Sequence, residues 1–177
     1  MALGEDDGGE LVHGHLEEEE VPDAVHELAV TWLGALLRAW LGNVGFVFGS
    51  EIKLALQETG RKPDLSVYFP NRNPPPRRGA LREPPDIIIE VVTPTPRDER
   101  RDRVEKMAEY AQFGVTYYWI VDPALGSFEV FSLEPDARYK RLVGVTSGCI
   151  DSVPGCSGLR LDVDALWAEL ARLGAEG

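Results

Sequence analysis

Seven residues at the middle of the chain, Asp86-Ile87-Ile88-Ile89-Glu90-Val91-Val92, constrain the fold more than any others. The run is too short for an ordinary helix, rich in β-branched side chains, and apolar on both alternating faces. A strand of that kind lies inside a sheet covered on both sides. The rest of the chain must then supply helices to cover it. Glu90 breaks the pattern. An ionised carboxylate among aliphatic side chains is costly unless it is paired or holds a metal. An ion pair with an arginine, or a strand end that reaches solvent, would satisfy it as well.

The flanking sequence supplies the layers. Residues 25–41 carry Val25, Leu28, Ala29, Trp32, Leu33, Leu36, Leu37, Trp40 and Leu41 at helical spacing, opened by Pro22-Asp23 and closed by Gly42-Asn43. Residues 46–56 read as a strand with Gly49 as a bulge, and 57–62 as a turn. Residues 64–69 read as a second strand, with Asp64, Ser66 and Tyr68 on one face. A loop rich in proline and arginine spans 70–85. A second helix is predicted over 97–113 and stops at Gly114. A strand over 117–121, a hairpin from 128–133 and 138–145, and a helix over 161–173 follow. This order specifies an α/β fold, a mixed sheet with helices on its faces. Residues 1–9 read as a frayed N-terminus and 10–173 as a single domain. No apolar run is long enough to span a bilayer. The acidic N-terminus lacks the pattern of a secretory signal, so the expected location is the cytoplasm.

Composition excludes several chemistries. The two cysteines, Cys149 and Cys156, form no CxxC or Cys/His cluster, which argues against zinc and for free structural thiols. His13, His15 and His26 all lie near the N-terminus, and no Ser–His or Cys–His nucleophile is suggested. The net charge of −12 is unfavourable for a polyanion partner. Its distribution is not uniform: residues 61–110 hold 11 bases against 9 acids, and the acid excess lies elsewhere. The locally basic third also contains Glu90.

Asp64 is the natural partner of Glu90. It follows Pro63 at the start of the preceding strand, where a turn role is the alternative. Adjacent strands lie roughly 5 Å apart, so the two carboxylates can share one ion. Oxygen ligands with open water positions suit Mg²⁺ or Mn²⁺. Such an ion can activate water and neutralise a phosphodiester. Asp86, four residues before Glu90, lies roughly 13 Å along the strand, too far to share the ion, and reads as a strand-entry residue. Glu51 is a further acid on the first strand.

Laid out at about 100° per residue, the second helix gathers Val104, Met107, Ala108 and Ala111 in an apolar stripe. Asp98, Asp102, Glu105 and Glu109 take the opposite face. Lys106 and Arg103 fall beside Tyr110 and Phe113, so Lys106 projects toward the sheet. It either snorkels beside the rings or aims at the carboxylates, where it could orient water or stabilise negative charge. Arg97, Arg100, Arg101 and Arg103 crowd the start of this helix against its dipole, an arrangement that fits phosphate contact.

Taken in order, these segments resemble a known family. Pro63-Asp64-Leu65-Ser66-Val67, the run from Pro85 through Glu90 to Thr95, Asp102 with Lys106 and Tyr110, and Gly114-Val115 with Tyr118-Trp119 and Val121-Asp122-Pro123 are similar to the Uma-type restriction endonucleases of the PD-(D/E)XK nuclease superfamily. The resemblance runs from about residue 10 to 166. It implies a restriction-endonuclease-like fold, a mixed β-sheet flanked by helices, and Mg²⁺-dependent hydrolysis of DNA. Asp64 matches the aspartate of the PD motif and Glu90 the acid of the second motif. Val92 stands where the superfamily has lysine, and Lys106 on the following helix matches the family's relocated lysine. His26 also matches a family position, and reads by itself as a cap or packing residue. DNA is the expected partner, and cleavage of both strands favours a homodimer. Trp119, Tyr118 or the hairpin at Phe128 could form its interface. Two rival readings are a non-catalytic nuclease-like scaffold binding DNA or a protein, and a hydrolase of small phosphate compounds walled by the 70–85 loop.

Overall fold

The computed structural model describes residues 10–12, 15–17, 23–56, 59–70, 72–94 and 101–174 of the 177. The expectations for 1–9, His13, Arg97 and Arg100 lie outside the described residues. After a short hairpin, β1 (Glu10–Val12) and β2 (His15–Glu17), the first helix α1 spans Ala24–Leu41. Asp23 caps it by accepting the His26 amide at 2.8 Å. Ala29, Leu33, Leu37 and Leu41, four residues apart, form its buried stripe.

Six strands form the main sheet: β3 (Phe46–Gly49), β6 (Leu65–Tyr68), β7 (Ile87–Val91), β8 (Tyr117–Asp122), β9 (Ser127–Leu133) and β10 (Tyr139–Val145). Their spatial order is β10-β9-β8-β7-β6-β3. Only the β7–β8 pairing is parallel, because a helix crosses over between those two strands. That crossover enters through a π-helical segment, Arg101–Lys106, and continues as α2 (Met107–Phe113). Gly114, at φ 94°, adopts the left-handed conformation that ends it, and its amide bonds back to the Tyr110 and Ala111 carbonyls. The chain closes with β11 (Cys149–Ile150), β12 (Leu161–Asp162) and α3 (Val163–Leu170).

The alternation along β6 and β7 sorts the core into two layers. Leu65, Val67, Ile87, Ile89 and Val91 pack with Leu33 and Leu37 of α1 and with Leu166 of α3. Tyr68, Ile88 and Val92 pack on the opposite side with Tyr110 of α2 and with Tyr118 and Ile120 of β8. Every residue of β7 is buried, as its two-faced apolar pattern requires. Among the described residues, no helix is long and apolar enough to cross a membrane.

Three local expectations are corrected. Residues 46–56 are not one strand. The chain turns after Gly49, and β4 (Leu54–Ala55) joins, with β5 (Gly60–Arg61), a separate sheet of order β2-β1-β5-β4. Leu81 of the long loop bonds to both sides of β4, through Lys53 and Ala55, and draws it away from β3. The predicted turn at 57–62 contains β5 (Gly60–Arg61). Its Arg61 is wholly buried and bidentate to Glu109 of α2, at 2.7 and 2.9 Å. Such a pair ties the small sheet to the helix more strongly than turn propensity opposes it. In the second helix, Val104 is 61% exposed and Ala108 is exposed, whereas Asp102 is buried. The wider π-helical turn invalidates the 100° step there, and the buried ion pair described below sets the inward face instead.

Candidate active site

The antiparallel register of β6 and β7 pairs Leu65 with Ile89. One step further, Asp64 comes opposite Glu90 at the end of the pair. Asp64 Oδ2 accepts the Val91 amide at 2.7 Å, which closes the ladder and fixes the carboxylate. Glu90 points to the face covered by α2 and is only 1% exposed. Its Oε2 accepts from Lys106 Nζ at 2.9 Å and its Oε1 from the Tyr110 hydroxyl at 2.7 Å. Lys106 is equally buried and lies 3.0 Å from Asp102 Oδ1, one turn earlier. The Tyr118 hydroxyl holds the Asp102 backbone carbonyl at 3.0 Å.

Burial pushes the Glu90 carboxyl above the usual carboxylate range, and the neighbouring Asp64 and Asp102 charges push the same way; Lys106 opposes them and does not prevail. Asp102 is raised for the same leading reason, burial. Two buried acids thus share one lysine, and Asp64 adds its charge beside them.

His26 supplies what sequence reasoning undervalued. Its Nε2 lies 3.1 Å from Asp64 Oδ2, across the layer from α1 to the start of β6. Burial lowers its pKa, but the hydrogen bond and charge of Asp64, helped by Glu27 and Glu90, outweigh that and raise it. The position at a helix start was visible in the chain; the strand that meets it was not. Asp102 was likewise assigned to the solvated face; its signals were the i,i+4 spacing to Lys106 and its place, with Lys106 and Tyr110, in the family resemblance.

The remaining predicted residues fall elsewhere. Arg103 is committed to Glu129 and to Asp122 Oδ2, at 3.2 Å for the latter. Arg101 has its Nε 3.9 Å from Asp102 Oδ1. Glu51 sits in the turn after β3, 90% exposed, and faces Lys62 at 3.7 Å. Asp86 accepts the Phe69 amide at 2.7 Å and Arg72 Nε at 2.9 Å, so it anchors the loop at the strand entrance. Trp119, Tyr118 and Phe128 are fully buried within the chain and offer no interface surface. The 70–85 loop lines a cavity of about 420 Å³ with Tyr68, Pro74, Arg78 and Leu81, but Asp64, Glu90 and Lys106 are not among its walls.

The family model described as Uma2, putative restriction endonuclease, matches residues 2–164. The chain belongs to the Uma2 family. The fold agrees. A solved putative nuclease of the DUF820 group from Anabaena variabilis superposes with a TM-score of 0.72, at 16% identity, over 91% of this chain and 90% of that one. No curated protein matches. In this Uma2 chain the lysine facing the acids comes from the crossover helix, and Val92, where a strand lysine would stand, is buried in the core.

Two carboxylates with one open oxygen fit a hard divalent cation. Asp64 uses Oδ2 for both of its contacts, and Oδ1 carries no hydrogen bond. Among the described residues no group of three or more His, Cys, Asp or Glu side chains forms a complete metal cage. Mg²⁺ and Mn²⁺ do not require one, since water and substrate phosphates fill their remaining positions.

Proposed function

We propose that this protein is a Mg²⁺- or Mn²⁺-dependent nuclease that hydrolyses phosphodiester bonds of DNA. One observation carries the reading: a glutamate buried on the central strand, opposite Asp64 and held by a buried lysine. Asp64 and Glu90 would hold the ion. When bound, it supplies Lewis acidity to the phosphate and lowers the pKa of a water. The Val91 amide and His26 orient Asp64, and the Tyr110 hydroxyl orients Glu90. Lys106 would place positive charge beside the scissile phosphate. Arg97, Arg100 and Arg101 are the proposed contacts to the DNA backbone. Arg103 could join them only by releasing Asp122 and Glu129. A homodimer would present two such sites to the two strands.

A non-catalytic scaffold is the second reading. It is favoured by the complete satisfaction of both Glu90 oxygens inside the protein and by the net charge of −12. Incubating supercoiled and linear duplex DNA with the protein and Mg²⁺, Mn²⁺ or chelator separates the two. The nuclease reading expects ion-dependent cleavage that Asp64→Asn and Glu90→Gln abolish. DNA retention without cleavage under either ion, unchanged by those substitutions, would establish the scaffold instead.

A further inference from the structure

The lysine stands between two acids, and both are buried. Lys106 Nζ is 2.9 Å from Glu90 Oε2 and 3.0 Å from Asp102 Oδ1. A lysine serving only to neutralise Glu90 needs no second buried carboxylate beside it. Burying that extra acid is a cost. Asp102 Oδ1 already faces the Lys106 ammonium at 3.0 Å, with Arg101 Nε 3.9 Å away. It is a second acceptor for the same ammonium, held in reserve beside Glu90.

That reserve matters once an ion arrives. Both oxygens of Glu90 are engaged, Oε1 by the neutral Tyr110 hydroxyl and Oε2 by an ammonium. A divalent ion held by Glu90 would share that carboxylate with the ammonium. An ammonium and a divalent cation on the same carboxylate repel strongly in a poorly solvated site. The ammonium must shift, and Asp102 is already within reach.

Resting on the metal-nuclease reading, we infer that Asp102 is a positioning residue for Lys106. It receives the ammonium as the ion takes Glu90, so that the lysine stays in the site instead of competing for the ligand. The Tyr118 hydroxyl on the Asp102 carbonyl holds this receiving group in place.

Calorimetric titration of the full-length protein with Mn²⁺, without DNA, tests the inference apart from activity. Wild type and Glu90→Gln come first. Binding that Glu90→Gln removes supports the site; no binding in wild type, or binding unaffected by Glu90→Gln, overturns this inference, while the cleavage assay above decides the nuclease reading separately, since substrate phosphates can complete the ion's shell. With that binding in hand, Asp102→Asn is expected to weaken Mn²⁺ affinity about tenfold or more, the usual cost of losing a group that orients a metal site. The loss should shrink to about threefold or less in a Lys106→Gln background, because no ammonium is left to hold. Equal loss in both backgrounds would mean that Asp102 acts on the ion directly, and no loss in either would remove its role; both overturn the inference. A purely structural Asp102 would change the melting temperature without this coupling. Lys106→Gln alone provides a check that does not depend on Asp102→Asn folding. Affinity equal to or tighter than wild type is expected, and a tenfold weakening would show that the ammonium does not compete for Glu90.

Discussion

Two charged clusters flank the same crossover helix, and they are built differently. On one side, Glu90 and Asp102 share Lys106 in full burial, with Asp64 adjoining. On the other, Arg103 and Arg141 grip Glu129, and Arg103 also reaches Asp122; these acids of β8 and β9 are buried and the arginines reach toward solvent. Glu90 and Glu129 are the same residue type with opposite shifts. Burial dominates at Glu90 and raises it. Burial also pushes Glu129 up, but hydrogen bonds from Arg103 and Arg141, with their charges, outweigh it and hold the carboxyl below its ordinary range. A forked, permanently charged guanidinium satisfies its acid and leaves nothing to recruit. At the first cluster one ammonium is shared between two buried acids, while His26 meets the third. The difference separates a strut from a site.

The largest expected effect breaks the comparison at its centre. Glu90→Gln or Asp64→Asn should reduce ion-dependent DNA cleavage by about a hundredfold or more, because a group that supports charge development contributes on that scale. The same Glu90→Gln should melt no lower than wild type at mildly alkaline pH, since it removes a buried charge and keeps an acceptor for Tyr110. A large drop in melting temperature would reclassify Glu90 as a strut.

Next is the clamp between β5 and α2. Arg61→Ala empties a fully buried position and leaves the partly buried Glu109 without its bidentate partner. Losing one partner of such a hydrogen-bonded pair costs roughly 1–3 kcal/mol. Denaturant unfolding should register the loss, and Mn²⁺ affinity of the folded fraction should be unchanged.

The pH dependence sharpens the contrast in shifts. Glu90 is raised, so the native state holds a proton that the unfolded chain releases. Its contribution is full below the ordinary glutamate range and is lost as pH rises through the folded value. Glu129 is lowered, so its contribution is present above the ordinary range and lost as pH falls. Stability curves of Glu90→Gln should therefore flatten on the alkaline side, and those of Glu129→Gln on the acid side. The same flattening in both variants would contradict the assignment.

The smallest effect concerns Arg141, whose side chain is mostly exposed. Arg141→Ala should change stability by about 1 kcal/mol or less, as exposed ion pairs do. Urea midpoints compared with wild type measure it.

Much of the layout was readable in advance. The aliphatic run around Glu90 specified a central strand because only two-sided burial rewards it. The helical spacing in 25–41 specified a helix because Ala29, Leu33 and Leu37 need a common face. Glu90 stood out because an ionised carboxylate among aliphatic side chains is costly, and Pro63-Asp64 because it opens the preceding strand. The boundaries failed where long-range contacts outvoted local preference: at β4, captured by Leu81, and at β5, held by Arg61 on Glu109.

By itself the sequence determined the strand that must be buried, the helix that must cover it, and the acid that neither could accommodate unaided. Those follow from periodicity and from the cost of burying charge, which are local properties. Only the tertiary structure decided which groups answer that acid. Lys106 and Tyr110 arrive through a crossover, His26 arrives from a helix on the other side of the sheet, and Asp102 turns inward because a π-helical segment rotates it there. Each contact depends on packing between distant segments; helical spacing pointed Lys106 toward the sheet but could not name the oxygens it meets.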